Sequence, residues 1–299
     1  MIGIGSFLIT TLSNFAYVGH ALKMLLKNGC RVFTSGFALD LTLGGSFMGW
    51  NLKNVKNESE FNSYIYEKIS IFNHKELLSI ADSKLRYQML DVIRELKNLV
   101  KLYLESNYLN SNDKMFLYTR VRRWTLCWSL ILRHASEELL PTVSREFMEL
   151  IAKIDPSLRR DHKIFRKVIF KLNKKLGLIP YNHTWVPPIL PIILWKAGTV
   201  FRLVYDFIRK ATKGHVRIVD TTYLDFDEAL RYKGWKKLLR ELLLERGSLI
   251  YKFGYLNYEA VKNMVVKHLS GRVHLGEKLG YIMTLELILR EIAKYMSER

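Results

Sequence analysis

Cysteine, proline and acid are all scarce in this chain. Two cysteines in 299 residues, Cys30 and Cys127, are too few for a disulfide framework, and neither stands in a CxxC or CxxxH spacing that would hold zinc. Both are read as packing residues in a protein of the reducing cytoplasm. All six prolines fall between Pro141 and Pro191, so most of the chain is free of the residue that breaks helices. Asp and Glu number 28 against 47 Lys and Arg, a net charge of +19. A surface so short of acid attracts nucleotides, nucleic acid or acidic lipid headgroups, and charge alone does not choose among these partners. No internal repeat, HxxxH pair or His/Cys cluster is visible.

Long uncharged runs are also few. Residues 1–22 carry no Lys, Arg, Asp or Glu, but Ser6, Thr10, Thr11, Ser13, Asn14 and His20 interrupt them. No basic residue precedes the run as a signal peptide requires, so neither a span nor a signal is expected. Residues 176–195 hold Pro180, Pro187, Pro188 and Pro191, which predict a looping connection.

What is present is apolar and periodic: 49% of residues are hydrophobic, enough for one large core or two modest ones. Residues 7–27 have mixed helical spacing and stop at Asn28-Gly29. Residues 31–35 (RVFTS) read as a short strand, followed by the Gly-punctuated turn Gly36 to Gly45. Beyond residue 60, Leu85, Met89, Ile93, Leu96, Val100 and Tyr103 recur at helical steps. Further helices are predicted at 116–134, 143–154, 162–174, 192–210, 226–244, 258–269 and 275–296, with a second interruption at 214–222.

Two features have bland readings. Arg159, Arg160, Lys163, Arg166, Lys167, Lys171, Lys174 and Lys175 flank Phe165, Val168, Ile169 and Leu172, giving a basic face opposite a buried one, read as a solvated face with a phosphate- or nucleic-acid-binding stripe as its alternative. His268 shares a face with Val261, Met264 and Val265, which predicts a hydrogen-bonded core histidine.

Ser35-Gly36-Phe37-Ala38-Leu39-Asp40, with Gly44-Gly45 beyond, is similar to a strand-end segment Ser-Gly-x-Gly-x-Asp-Glu followed by Gly-Gly. Tyr118 to Arg123, Pro141 through Arg145-Glu146-Phe147, Ile154-Asp155-Pro156 and Lys163 to Lys167 follow in order, as do Asn257, His268, Gly271-Arg272 and Leu285-Glu286-Leu287. Together these resemble the synthetase half of asparagine synthase, truncated, across nearly the whole chain. The resemblance implies an α/β start holding a partial nucleotide-binding sheet, residues 1–60, then a mainly α-helical body, residues 61–299. It implies ATP and Mg²⁺ as cofactors, with Ser35, Gly36, Asp40, Gly44 and Gly45 facing the nucleotide and Asp40 as the metal ligand. The implied chemistry is activation of an aspartate side-chain carboxylate by ATP, then displacement of AMP by ammonia.

The sequence departs from that pattern at chemically important places. Residue 2 is Ile2 where the glutaminase nucleophile would be Cys, and a Ser-Gly-Gly-x-Asp-Ser loop is absent. Phe37, Ala38 and Leu41 replace Glu, Gly and an acid, and Ser144 stands where an Asp is expected. These departures raise the alternative of a non-catalytic subunit whose partner chain supplies the missing loop and glutaminase. A basic protein binding nucleic acid or a membrane surface is the third reading.

Overall fold

The computed structural model describes residues 23–43, 50–119, 121, 126–133, 136–181, 184–212 and 226–298. Strand β1 is Val32–Thr34 and β2 is Glu137–Leu139. The helices in the first half are α1 Leu39–Thr42, α2 Glu58–Ile69, α3 His74–Ile80, α4 Arg86–Leu102, α5 Tyr108–Phe116, α6 Leu126–Leu132 and α7 Arg145–Lys153. There follow α8 Pro156–Arg159, α9 Lys163–Leu172, α10 Lys174–Gly177, α11 Ile192–Ala211, α12 Phe226–Ala229, α13 Lys233–Leu243, α14 Leu249–Lys252, α15 Tyr258–Leu269 and α16 Gly276–Ser297. The fold is a small α/β start and a mainly helical body, as the sequence predicts.

Local sequence sets many of these boundaries. Asn57 caps α2 by accepting the Glu60 N–H at 3.0 Å, and Glu58 and Glu60 place negative charge in the first turn. Asn73 and Glu76 form a reciprocal capping box on α3. Asn257 caps α15 through the Ala260 N–H at 3.0 Å. Among the described residues, 178–181 and 184–191 run without helix before α11, the looping connection that their prolines predict. The expected helix at 226–244 is instead two, broken where Tyr232 turns extended at ψ 149, beside Arg231, whose side chain donates to the His268 and Val273 carbonyls. The reading of residues 7–27 as a helix falls mostly outside the described residues, as do the interruption at 214–222 and Gly44 and Gly45.

The strands are parallel, with Val32 opposite Glu137 and Thr34 opposite Leu139. They therefore join both sides of residue 60, and helices α1 to α6 form the crossover that a parallel pair requires. One core gathers Ala38, Leu41, Phe61, Ile65, Met115 and Phe116, among others. A second gathers Leu230, Leu239, Leu243, Val261 and Leu279, and takes Ile80 from the first half. The Asn257 N–H donates to the Ile80 carbonyl at 2.8 Å, which ties the end of α3 to the start of α15 within this second core. Glu286 holds the second together from within: fully buried, it accepts the N–H groups of Leu249 and Ile250 and the Arg290 Nε. No helix among the described residues is long and apolar enough to cross a membrane.

Candidate functional site

The carboxyl ends of β1 and β2 point the same way, and each runs straight into a tight turn. From β1, Ser35 extends the ladder by donating its N–H to the Leu139 carbonyl at 3.1 Å. Its hydroxyl accepts the Phe37 N–H at 3.2 Å, and the Leu39 N–H closes a turn on the Gly36 carbonyl at 3.0 Å. Ala38 completes the reversal at φ 59, ψ 5, the left-handed region that an L side chain enters at a cost. Helix α1 then starts, with Leu41 and Thr42 buried and Asp40 exposed in its first turn.

From β2, the chain passes through a 3₁₀ turn at Pro141–Val143 into α7, which Ser144 caps by accepting the Phe147 N–H. The buried Thr142 hydroxyl donates to the Phe37 carbonyl, tying the second turn to the first. Val143 packs against the core that holds Ala38 and Leu41. The turn carrying Asp40 and the turn carrying Ser144 thus meet at one end of a parallel strand pair, the end where open α/β sheets present ligands.

Of the residues expected to face a nucleotide, Ser35, Gly36 and Asp40 lie on this edge, while Gly44 and Gly45 are outside the described residues. Ser35 is occupied in shaping the turn. At Gly36 a methyl group would meet nothing within 4 Å, so Ala38, not Gly36, holds the conformation that calls for glycine. Ser144 is engaged as a helix cap. Asp40 is the carboxylate at the edge, and among the described residues no group of three His, Cys, Asp or Glu gathers to hold a metal. One carboxylate suits Mg²⁺ held chiefly through a ligand's phosphates and water, and does not make a protein cage. A shallow hollow of about 320 Å³ beside α2, bordered by Asn54, Glu60, Tyr64 and Glu67, takes none of its lining from this edge.

Sequence spacing gave no sign of Glu138. Its side chain is buried in β2 and meets the Arg133 Nε at 3.5 Å, and its Oε2 has no hydrogen-bond partner among the described residues. The pattern Glu137-Glu138 reads as exposed polar sequence, and only pairing with Phe33 turns it inward.

The basic stripe is only partly as expected. Arg159 is buried against Asp113 and Asn110, and Arg166 reaches the Pro188 and Leu190 carbonyls while lying 4.8 Å over the Trp195 ring. Leu172, expected in the core, is exposed, whereas Lys163, Lys167, Lys171, Lys174 and Lys175 do face solvent. Burial pushes the Asp113 carboxyl up to about 6, although the Arg159 guanidinium beside it pulls the other way.

His268 is fully buried, as its spacing predicts. Its Nδ1 accepts the Leu275 N–H at 3.2 Å, which places the ring proton on Nε2. Burial, reinforced by Arg231, lowers its pKa. Asp227 Oδ2 lies 3.5 Å from His274 Nδ1, and its Oδ1 accepts the Gly276 N–H at 2.7 Å, so this cluster pins the start of α16.

Comparison with protein-family models, curated proteins and solved structures found no match to this chain.

Proposed function

We propose that the β1 edge is the nucleotide-facing edge of an asparagine synthase-like domain, whose chemistry is ATP-dependent amide formation on aspartate or a related carboxylate. The observation that carries this reading is the backbone at Ala38. A left-handed residue stands in the turn that follows a parallel strand, four residues after Thr34, at the position where the resembling segment has glycine, and Asp40 follows it in the first turn of α1. The turn from Pro141, the second resembling segment, closes on the same edge through Thr142.

In this reading Asp40 would hold Mg²⁺ on the nucleotide's phosphates and so orient it. The metal would neutralise charge on the departing pyrophosphate as an aspartate carboxylate oxygen attacks the α-phosphorus. Ammonia then attacks the activated acyl carbon, the C–O bond to AMP breaks, and an amide forms. Calorimetry with ATP plus Mg²⁺, and with AMP, tests the site. Binding that weakens in Asp40→Asn supports it, and no heat with either nucleotide ends it.

A second reading is favoured by the strand pair itself. Parallel sheets are ordinarily covered on both faces and contain more strands, yet Val32 in β1 is 47% exposed among the described residues. A partner chain bringing further strands, the Ser-Gly-Gly-x-Asp-Ser loop and a glutaminase would complete the sheet. Native mass spectrometry of this chain co-expressed with the product of an adjacent reading frame separates the two readings: a one-to-one complex that alone binds ATP supports the subunit.

A further inference from the structure

Helix α11 has its polarity reversed. Its inward side carries Trp195, Tyr205 and Arg209, all buried, with Arg209 donating to Glu228 at 2.9 Å. Gly198 lets this side approach so closely that an added methyl would lie 2.2 Å from the Thr184 carbonyl oxygen. The opposite side carries Ile193, Val200, Phe201, Val204, Phe207 and Ile208, which at 100° per residue share about a third of the circumference. All six are exposed among the described residues, Phe207 at 73% and Phe201 at 56%. An ordinary surface helix turns its apolar stripe to the core, so an outward stripe along a 20-residue helix marks a contact surface.

Charge identifies what it contacts. Between residues 163 and 211, Lys163, Lys167, Lys171, Lys174, Lys175 and Lys196 are exposed, and the single acid, Asp206, already lies beside Arg202 and Arg209. Lys196, exposed, falls at the margin of the apolar side, where a lysine stem can lie on hydrocarbon while its ammonium meets an anion. Phe170, Leu176 and Ile179, on and beside the neighbouring basic helix α9, are exposed as well. A nucleic acid would satisfy the lysines and leave the apolar stripe in water. A second copy of this chain would bring another +19 to the contact. An anionic bilayer surface satisfies both features at once, with the helix lying flat because it is too polar on its inner side to cross.

We infer that α11, with the lysine-rich α9 segment beside it, is a peripheral docking surface for an anionic lipid membrane. This goes beyond the nucleotide reading and does not depend on it.

Co-sedimentation of the full chain with phosphatidylcholine vesicles, with and without phosphatidylserine, tests the assignment. The expected result is binding to the anionic vesicles that weakens with salt, and a loss of at least about tenfold in partitioning for the double variant Phe201→Ser, Phe207→Ser. Phe207 is exposed, and Phe201, more than half exposed, meets the Trp185 ring edge-on at 5.9 Å, so circular dichroism should stay unchanged and the melting temperature should fall only slightly. Val204→Asp gives an independent variant should the first misfold. No binding to anionic vesicles overturns the inference, as does equal binding by wild type and variants. A concentration-dependent dimer abolished by the double variant would assign the face to a second copy. Lipid-free cross-links from residues 1–22 or 213–225 to this face would assign it to the chain's own segments.

Discussion

The Thr142 hydroxyl donates to the carbonyl of Phe37, 105 residues away, and so fastens the turn leaving β2 to the turn leaving β1. Thr142→Val keeps the shape and removes the donor, leaving the Phe37 carbonyl without it in a partly buried setting. A loss of about 1 kcal/mol in unfolding free energy is expected, with Thr142→Ser nearly neutral. Denaturant midpoints that rank the two variants equally would show that the bond contributes nothing.

Ala38 is nine-tenths buried and left-handed, which reverses the usual order of substitution costs. In a helix interior, Ala→Gly costs about 1 kcal/mol. Here the strain relieved offsets the entropy added to the unfolded chain, so Ala38→Gly should fall within about 0.5 kcal/mol of wild type. Ala38→Val, β-branched at positive φ, should cost at least about 2 kcal/mol. Chemical denaturation of the pair reads the contrast directly.

Three glycines give an internal comparison. At Gly276 an added methyl would lie 2.4 Å from the backbone of Phe226 and Asp227, and at Gly198 it would strike the Thr184 carbonyl. At Gly36 it would meet nothing within 4 Å. Gly276→Ala and Gly198→Ala should each destabilise by about 1–3 kcal/mol, while Gly36→Ala should not. Equal melting temperatures for all three would contradict the close approach of α16 to α12 and of α11 to residue 184.

Two buried groups make stability respond to pH in opposite senses. Asp113, raised from 3.8 to about 6, holds its proton more firmly when folded. Its contribution is therefore fully present below pH 3.8 and is lost as pH rises through about 6. His268 is lowered from 6.5, so its contribution is present above that value and declines as pH falls below it. Bulk unfolding curves merge the two, and site-resolved NMR separates them: a ¹³C carboxyl midpoint near 6 for Asp113 and a His268 midpoint below 6.5. Arg159→Met removes a charge that favours the Asp113 carboxylate, and should move that midpoint further upward.

Elements with a strong local signal were legible in the sequence. Residues 31–35 contain β1, and the spacing of Val261, Met264, Val265 and His268 finds α15 with the bounds it has. Strand β2 was not legible, since three residues with adjacent glutamates carry no alternation and become a strand only beside β1. Tertiary partners account for the other differences. Asp113, 46 residues before Arg159, draws that arginine out of the expected solvated stripe, and Arg231 bonds to distant carbonyls where one long helix was expected. At the candidate edge, Ser35, Gly36 and Asp40 could be located from the strand and turn signals. The engagement of Ser144 as a cap, and the junction between Thr142 and Phe37, needed coordinates, because hydroxyl bonding leaves no periodic trace.

The parallel pairing of Val32 with Glu137 also bears on when the edge comes into being. Helices with caps such as those of Asn57 and Asn73 can form from neighbours in sequence, whereas this ladder must close a loop of about a hundred residues before its few bonds offset the entropy lost. The strand end carrying Asp40 is thus a late arrival in folding. Being held by so short a ladder, it is also an early departure when the chain begins to open.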